Sequence, residues 1–189
     1  MIRPATKCSI NRKDAMGLQQ HRPEIRKYLF EDDGRIPNNP TLPLLVYSET
    51  LATTDDLPWI CEELFRNNGW GGSWRDGVFT YHHYHSTAHE VLGIVRGTAR
   101  IAFGGEAGVT VEVAAGDVVV IPAGVGHRNL GSSRDFLVVG AYPGGQYWDL
   151  RTGEPDERPE VLENIRKVPL PRTDPVFGDE GPLHEHWLK

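Results

Sequence analysis

The chain has 189 residues, with 26 Asp and Glu against 20 Lys and Arg and a formal net charge of −6. Phosphate neutralisation needs clustered cations, so this balance argues against nucleic acid as a partner. Apolar runs such as 118–121 are far too short to span a bilayer, while 21 Gly and 14 Pro favour a turn-rich β fold over a helix bundle.

The two cysteines, Cys8 and Cys61, are distant in sequence and form no CxxC pair. Free thiols in a reducing, cytoplasmic setting are the expectation. The first twenty residues lack the apolar segment of a secretory signal, and residues 1–23 read as an N-terminal tail or as sequence upstream of a start at Met16, with a mitochondrial presequence less favoured. Residues 24–189 are expected to form one domain. Within it, 24–31 predicts a strand closed by Asp32-Asp33-Gly34. The segment 36–43 carries Pro37, Pro40 and Pro43 and must be extended without being a central strand. A short strand follows at 44–47.

Thr53, Thr54, Asp55 and Asp56 supply cap candidates for a helix whose apolar stripe is Trp59, Ile60, Leu64 and Phe65, with Asn68-Gly69 as its stop. That helix is expected to pack outside the sheet. The stretch 70–77 reads as a loop rich in Gly and Trp. From 78 to 142 β-branched runs alternate with turn residues, predicting strands at 78–85, 89–95, 98–103, 109–113, 118–121, 126–129 and 136–142. A second helix is expected at 159–166, and 168–189 reads as a Pro-rich arm over the barrel.

Residues 77–97 read GVFTYHHYHSTAHEVLGIVRG. Side chains alternate along a strand, so His83 and His85 share a face while His82 takes the other. Two imidazoles at i and i+2 can share a metal. Glu90 is in phase with Leu92 and Ile94, and faces the interior if they do. Residues 116–129, GDVVVIPAGVGHRN, place a turn, a strand and a corner at Pro122-Ala123-Gly124 before His127. Such a corner could bring the His127 imidazole beside the first pair.

These two segments resemble the two motifs of the cupin superfamily. Gly77, His83, His85, Glu90 and Gly97 match the first; Gly116, Pro122, Gly124 and His127 match the second, and the family's closing Asn falls beyond Asn129. The flanking segments YLFEDDG and PNNPTLPLLVY and the Pro-rich end also resemble a bacterial and fungal cupin group of poorly defined function.

The resemblance implies an all-β, cupin-type jelly-roll barrel with one or two flanking helices and a motif core at 77–142. It also implies one divalent transition metal ion (Mn, Fe, Co, Ni, Cu or Zn) held by His83, His85, Glu90 and His127. Imidazole and carboxylate donors suit those ions. A structural zinc site would more often use Cys, and neither cysteine lies here. One carboxylate against a divalent ion leaves a positive centre that favours anionic or enolisable ligands.

The function expected is therefore a divalent-metal-dependent enzyme, dioxygenase-like or otherwise redox or C–C-cleaving, acting on a small anionic molecule. The alternative is a non-catalytic binding or sensing module with a structural metal. No general base is assigned, and fold alone does not fix function. The expected assembly is a homodimer in which 24–31 covers a neighbouring sheet edge. His89 is either a neighbour of the site or solvent-facing. His184 and His186 share the i, i+2 spacing without a surrounding ligand cluster. Phe79, Tyr81 and Trp74 either line a pocket or pack in the core, and Arg96 and Arg100 read as surface ion-pair residues, with binding of a carboxylate as the alternative.

Overall fold

The structure, a computed structural model, describes residues 23–188. The N-terminal tail, Pro23 apart, lies outside the described residues, and so does Cys8. The chain runs through β1 (Glu24–Tyr28), β2 (Leu44–Ser48), α1 (Leu57–Asn67), β3 (Trp70–Asp76), β4 (Glu90–Arg96), β5 (Thr98–Phe103) and β6 (Val109–Ala114). It continues through β7 (Val118–Ile121), β8 (His127–Ser132), β9 (Leu137–Pro143), a 3-10 turn at Pro155–Glu157, α2 (Glu160–Lys167) and α3 (Pro182–Trp187). Two antiparallel sheets result, one of six strands in the order β1-β2-β7-β4-β9-β3 and one of three in the order β6-β5-β8. This is the all-β jelly-roll expected from the sequence, with helices at its flank.

The six-stranded sheet is buried on both faces, which is why its central strands are continuously apolar. Along β7, Val118 and Val120 join the core beneath α1, while Val119 and Ile121 join the core between the sheets. β4 splits the same way, with Val91 and Val95 toward the helix and Leu92 and Ile94 inward. Each such side chain contributes about 1.5–3 kcal/mol on burial. Glu90 shares the inward phase of Leu92, as its spacing predicted, and both line one cavity.

Helix α1 buries Leu57, Cys61, Leu64 and Phe65. The stripe is therefore rotated from the expected one: Trp59 is 62% exposed. Asp56 sits at the N-cap position but makes no side-chain cap, and Pro58 lies in the first turn. The helix approaches β4 closely at Gly93, where an added Cβ would lie 2.4 Å from Cys61 Sγ.

Two segments differ from expectation. The Gly- and Trp-rich stretch is not a loop but edge strand β3, paired with β9 across a bulge between Gly71 and Trp74. A bulge tolerates the Gly71-Gly72-Ser73 run that reads as a turn. Conversely, 78–85 is not a ladder strand. It bends at Thr80 and Tyr81 and touches its neighbours through single bridges, His83 to His127 and Tyr84 to Arg151. β1 also ends at Tyr28, short of Glu31.

The arm at 168–188 packs into the helix-side core through Val176, Leu183 and Trp187. Buried Asp174 pins it, accepting from the Tyr47 hydroxyl at 2.9 Å and from the amides of Val176, Phe177 and Leu183. No helix among the described residues is long and apolar enough to cross a membrane.

Candidate functional site

The segment before β4 lies against the start of β8. His83 and His127 exchange backbone hydrogen bonds at 3.2 and 2.9 Å, and the His85 carbonyl accepts from the Gly124 amide at 2.8 Å. That pairing preserves strand-like alternation without a strand. His83 and His85 face the cavity, and the Pro122–Gly124 corner sets His127 beside them. The four residues singled out by the motifs thus come together. His85 Nε2 and His127 Nε2 each lie 3.5 Å from Glu90 Oε2, and the His83 and His127 ring centroids are 4.1 Å apart.

Each imidazole is held from behind by a backbone carbonyl. His83 Nδ1 is 3.3 Å from the Tyr81 oxygen, His127 Nδ1 is 3.3 Å from the Val125 oxygen, and His85 Nδ1 meets the Asp149 oxygen. A carbonyl only accepts, so each ring in its neutral form carries its proton on Nδ1 and keeps the Nε2 lone pair. Glu90 is treated asymmetrically. Its Oε1 accepts from the Tyr142 hydroxyl at 2.9 Å, while its buried Oε2 has no hydrogen-bond partner among the described residues. Trp74 Nε1 in turn donates to the Tyr142 oxygen at 2.9 Å.

Electrostatics follow from this packing. Burial alone would raise the Glu90 carboxyl, but the imidazoles of His85, His127 and His83 outweigh it and hold the group at about 2. Burial pushes His83 down to about 4 and His127 well below its usual value. His85 is also pulled down by burial, yet Glu90 and the Asp149 carbonyl reverse the shift and leave it raised. The site is one buried carboxylate facing three imidazoles, of which His85 takes up a proton most readily.

The motifs did not reveal Tyr142, Trp148 or Asp149. Trp148 lies over the site, its ring 5.0 Å from that of His85 and 5.6 Å from that of Tyr142. Asp149 clamps this segment onto the chain that carries His85. Its Oδ1 accepts from the Ser86 amide at 2.6 Å and its Oδ2 from the Ser86 hydroxyl at 2.6 Å and Arg151 Nε at 2.8 Å.

The remaining candidates separate cleanly. His82 turns away, toward Glu106. His89 is buried and structural: Nδ1 accepts from the Ala123 amide at 2.9 Å, its ring lies 4.9 Å from that of Trp187, and burial lowers its pKa to about 4. His184 and His186 lie on α3, outside the cavity lining. Asn129, left without a role by the motif, donates its amide to the Phe79 carbonyl at 2.8 Å. Trp74 and Phe79 line the cavity, and Tyr81 stacks on Phe79.

The cavity has a volume of about 340 Å³ and reaches Glu90 and the three histidines between Trp74, Val78, Leu92 and Trp148. Among the described residues, no group of three or more His, Cys, Asp or Glu side chains stands arranged to hold a metal ion as it is. The four groups converge without being drawn in to bonding distance of a common point.

Comparison with known proteins agrees with the motif reading. Residues 75–135 match the family model described as a cupin domain. The chain is 50% identical over 166 residues to the uncharacterised protein YjlB of Bacillus subtilis (strain 168), covering 88% of this chain and 98% of that one. Among solved structures it is similar to acireductone dioxygenase from Bacillus anthracis, described with a cadmium ion in its active centre. The identity there is 25%, with 53% of this chain and 49% of that one covered and a TM-score of 0.29. It is also similar to Bacillus subtilis oxalate decarboxylase, described with Mn(II) centres, at 14% identity, with 71% of this chain and 29% of that one covered and a TM-score of 0.33. Likeness of that degree assigns neither activity nor metal. Both motifs, the family match and the jelly-roll agree, and the chain belongs to the cupin superfamily.

Proposed function

We propose that His83, His85, Glu90 and His127 hold one divalent transition-metal ion, and that the protein is an enzyme acting there on a small anionic or enolisable molecule. The observation that carries this reading is the common orientation of the three imidazoles. Each turns its Nδ1 to a carbonyl, and His85 and His127 present Nε2 to the Glu90 Oε2 that lacks a donor, with the His83 ring beside that of His127. A carboxylate oxygen buried without a donor is costly by about 1–3 kcal/mol or more, and a cation is the partner that three lone pairs and one anion can share.

Two of the separations are compatible with a shared ion, although the four groups would have to draw in to ligate it. Bonds of about 2.0–2.2 Å place neighbouring ligand atoms of one ion roughly 3–3.5 Å apart, and the two histidine nitrogens stand 3.5 Å from Glu90 Oε2. Nitrogen donors with one carboxylate suit first-row transition metals and zinc more than calcium or magnesium. Such an ion supplies a Lewis-acidic centre for a carboxylate, carbonyl or enolate oxygen.

The chain's own groups prepare the place. Trp74 orients Tyr142, and Tyr142 holds Glu90 Oε1, so that Oε2 is the oxygen turned to the histidines. The Asp149 carbonyl fixes the His85 tautomer. Leu92, Val78 and Trp148 give the cavity apolar walls, which lower the local dielectric and strengthen attraction for an anionic head. Besides Glu90, the carboxylate lining the cavity is Asp76 at its rim.

The test is direct coordination. Protein stripped with a chelator and reloaded with Co(II) should change its visible spectrum when acetylacetone or a simple carboxylate is added, and oxygen uptake should then be followed across carboxylates and diketones. A Co(II) spectrum indifferent to all of them would count against open positions on the ion. For assembly, β1 is an edge of the six-stranded sheet; a homodimer covering it should be visible by light scattering, and a monomer at micromolar concentration would contradict it.

A further inference from the structure

We infer that the cavity is built for a ligand with a planar aromatic body and one metal-seeking head, gripped by Phe79, Tyr81 and Trp148. The inference rests on the metal-centre reading above for the head alone. Three large rings stand exposed beside the site: Phe79 is 48%, Tyr81 44% and Trp148 37% accessible. Single exposed apolar residues need no explanation, but several about one cavity mark a binding surface. Phe79 and Tyr81 are stacked at 5.0 Å with planes 17° apart, and Phe79 stands edge-on to His83 at 5.0 Å. Trp148 occupies the corresponding place beside His85. One aromatic ring therefore flanks each of two neighbouring imidazoles.

The backbone beneath the platform is anchored before a ligand arrives. The Phe79 carbonyl is held by the Asn129 amide, and Trp148 precedes the Asp149 clamp. Binding then costs little ordering of these side chains. Offset stacking on such faces rewards a flat π-system over an alkyl chain.

The same lining disfavours a second anionic group. The arginine that lines the cavity, Arg75, is committed to Glu62 through Nε at 2.9 Å and a terminal nitrogen at 2.5 Å. The rim instead carries Asp76. A dianionic molecule would bring its second charge to apolar walls and a carboxylate, where it loses hydration without gaining a partner. The volume, about 340 Å³, is at the lower end of the roughly 300–1,000 Å³ typical of small-molecule sites, so one ring and a short head are accommodated.

Three probes with the same 2-oxo-acid head separate the terms: phenylpyruvate, pyruvate and 2-oxoglutarate, titrated calorimetrically into Co(II)-loaded protein. Phenylpyruvate should bind at least about tenfold more tightly than pyruvate, and 2-oxoglutarate no more tightly than pyruvate. In Phe79→Ala/Tyr81→Ala, and separately in Trp148→Leu, the phenylpyruvate-to-pyruvate ratio should shrink to within about threefold. A ratio is insensitive to any loss common to both ligands. A ratio unchanged in both variants, or 2-oxoglutarate matching phenylpyruvate, overturns the inference. So does a change of oligomeric state in the double variant with the ratio intact, which would assign the rings to a subunit contact. Repeating the titration on chelated protein isolates the two readings. An aromatic preference without metal dependence supports this inference while removing the metal reading. Metal retention with no aromatic preference does the reverse.

Discussion

The Tyr142 hydroxyl donates to Glu90 Oε1 across 2.9 Å, and this contact decides which carboxylate oxygen is left to face His85 and His127. Groups that orient a metal-binding carboxylate typically influence affinity about 10- to 100-fold. Tyr142→Phe keeps the ring that stacks on Trp148 but removes the donor and leaves Trp74 Nε1 without its acceptor. It should fold normally and bind metal about tenfold more weakly. A binding isotherm beside the unmodified protein checks this.

Asp149 acts at one remove. Its carboxylate gathers the Ser86 and Thr87 amides, the Ser86 hydroxyl and Arg151, so that its own carbonyl stands behind His85. In Asp149→Ala the carbonyl remains but its position is no longer enforced. The expected result is weaker metal binding, roughly tenfold or more, together with stronger acrylamide quenching of Trp148, whose segment is no longer clamped. Metal affinity and acrylamide quenching of tryptophan fluorescence measure the two effects; unchanged values for both would limit Asp149 to a local structural role.

Glu90 is the one anionic group among the four. Glu90→Gln preserves shape and an oxygen donor but removes the charge, so the variant should fold and hold metal with reduced affinity. Identical isotherms for the variant and the unmodified protein would take Glu90 out of the site.

Glu157 gives a pH-dependent prediction. Burial tends to raise its carboxyl, but the Tyr84 hydroxyl at 2.6 Å and the amides of Thr152 at 2.9 Å and Gly153 at 3.0 Å outweigh it and lower the value. A carboxyl more acidic in the folded chain stabilises the fold above the unfolded value of about 4.3, and that stabilisation disappears as pH falls through the folded value. Glu157→Gln should therefore cost about 1–3 kcal/mol at pH 7, and the two stability curves should converge as pH falls below the lowered folded value. Denaturant titrations across that range test it.

Much of the fold was legible because burial writes itself into the sequence. β5 and β7 fall where the β-branched runs predicted, at Thr98–Phe103 and Val118–Ile121. β3 was not legible: Gly71, Gly72 and Ser73 have the composition of a turn, and only the bulged pairing with β9 makes them strand. The four convergent residues were legible from alternation and motif spacing, even though 78–85 is no ladder strand. Tyr142 and Asp149 were not. They lie 52 residues from Glu90 and 64 from His85 respectively, and only the adjacency of β9 to β4 and the fold-back after Gly145 bring them in.

The glycines separate the two kinds of information. An added Cβ at Gly93 would lie 2.4 Å from Cys61 Sγ and 3.1 Å from the Phe65 ring, whereas Gly77, although it opens the first motif, has nothing within 4 Å. Gly93→Ala should cost about 1–3 kcal/mol by forcing α1 off the sheet, and Gly77→Ala should stay within about 0.5 kcal/mol. Thermal melts of the pair check this.

The central claim is the shared ion. Elemental analysis of the purified protein should find close to one transition-metal ion per chain, and His83→Ala/His85→Ala should lose it while keeping its β-sheet circular dichroism. Metal content unchanged in that folded double variant would contradict the account.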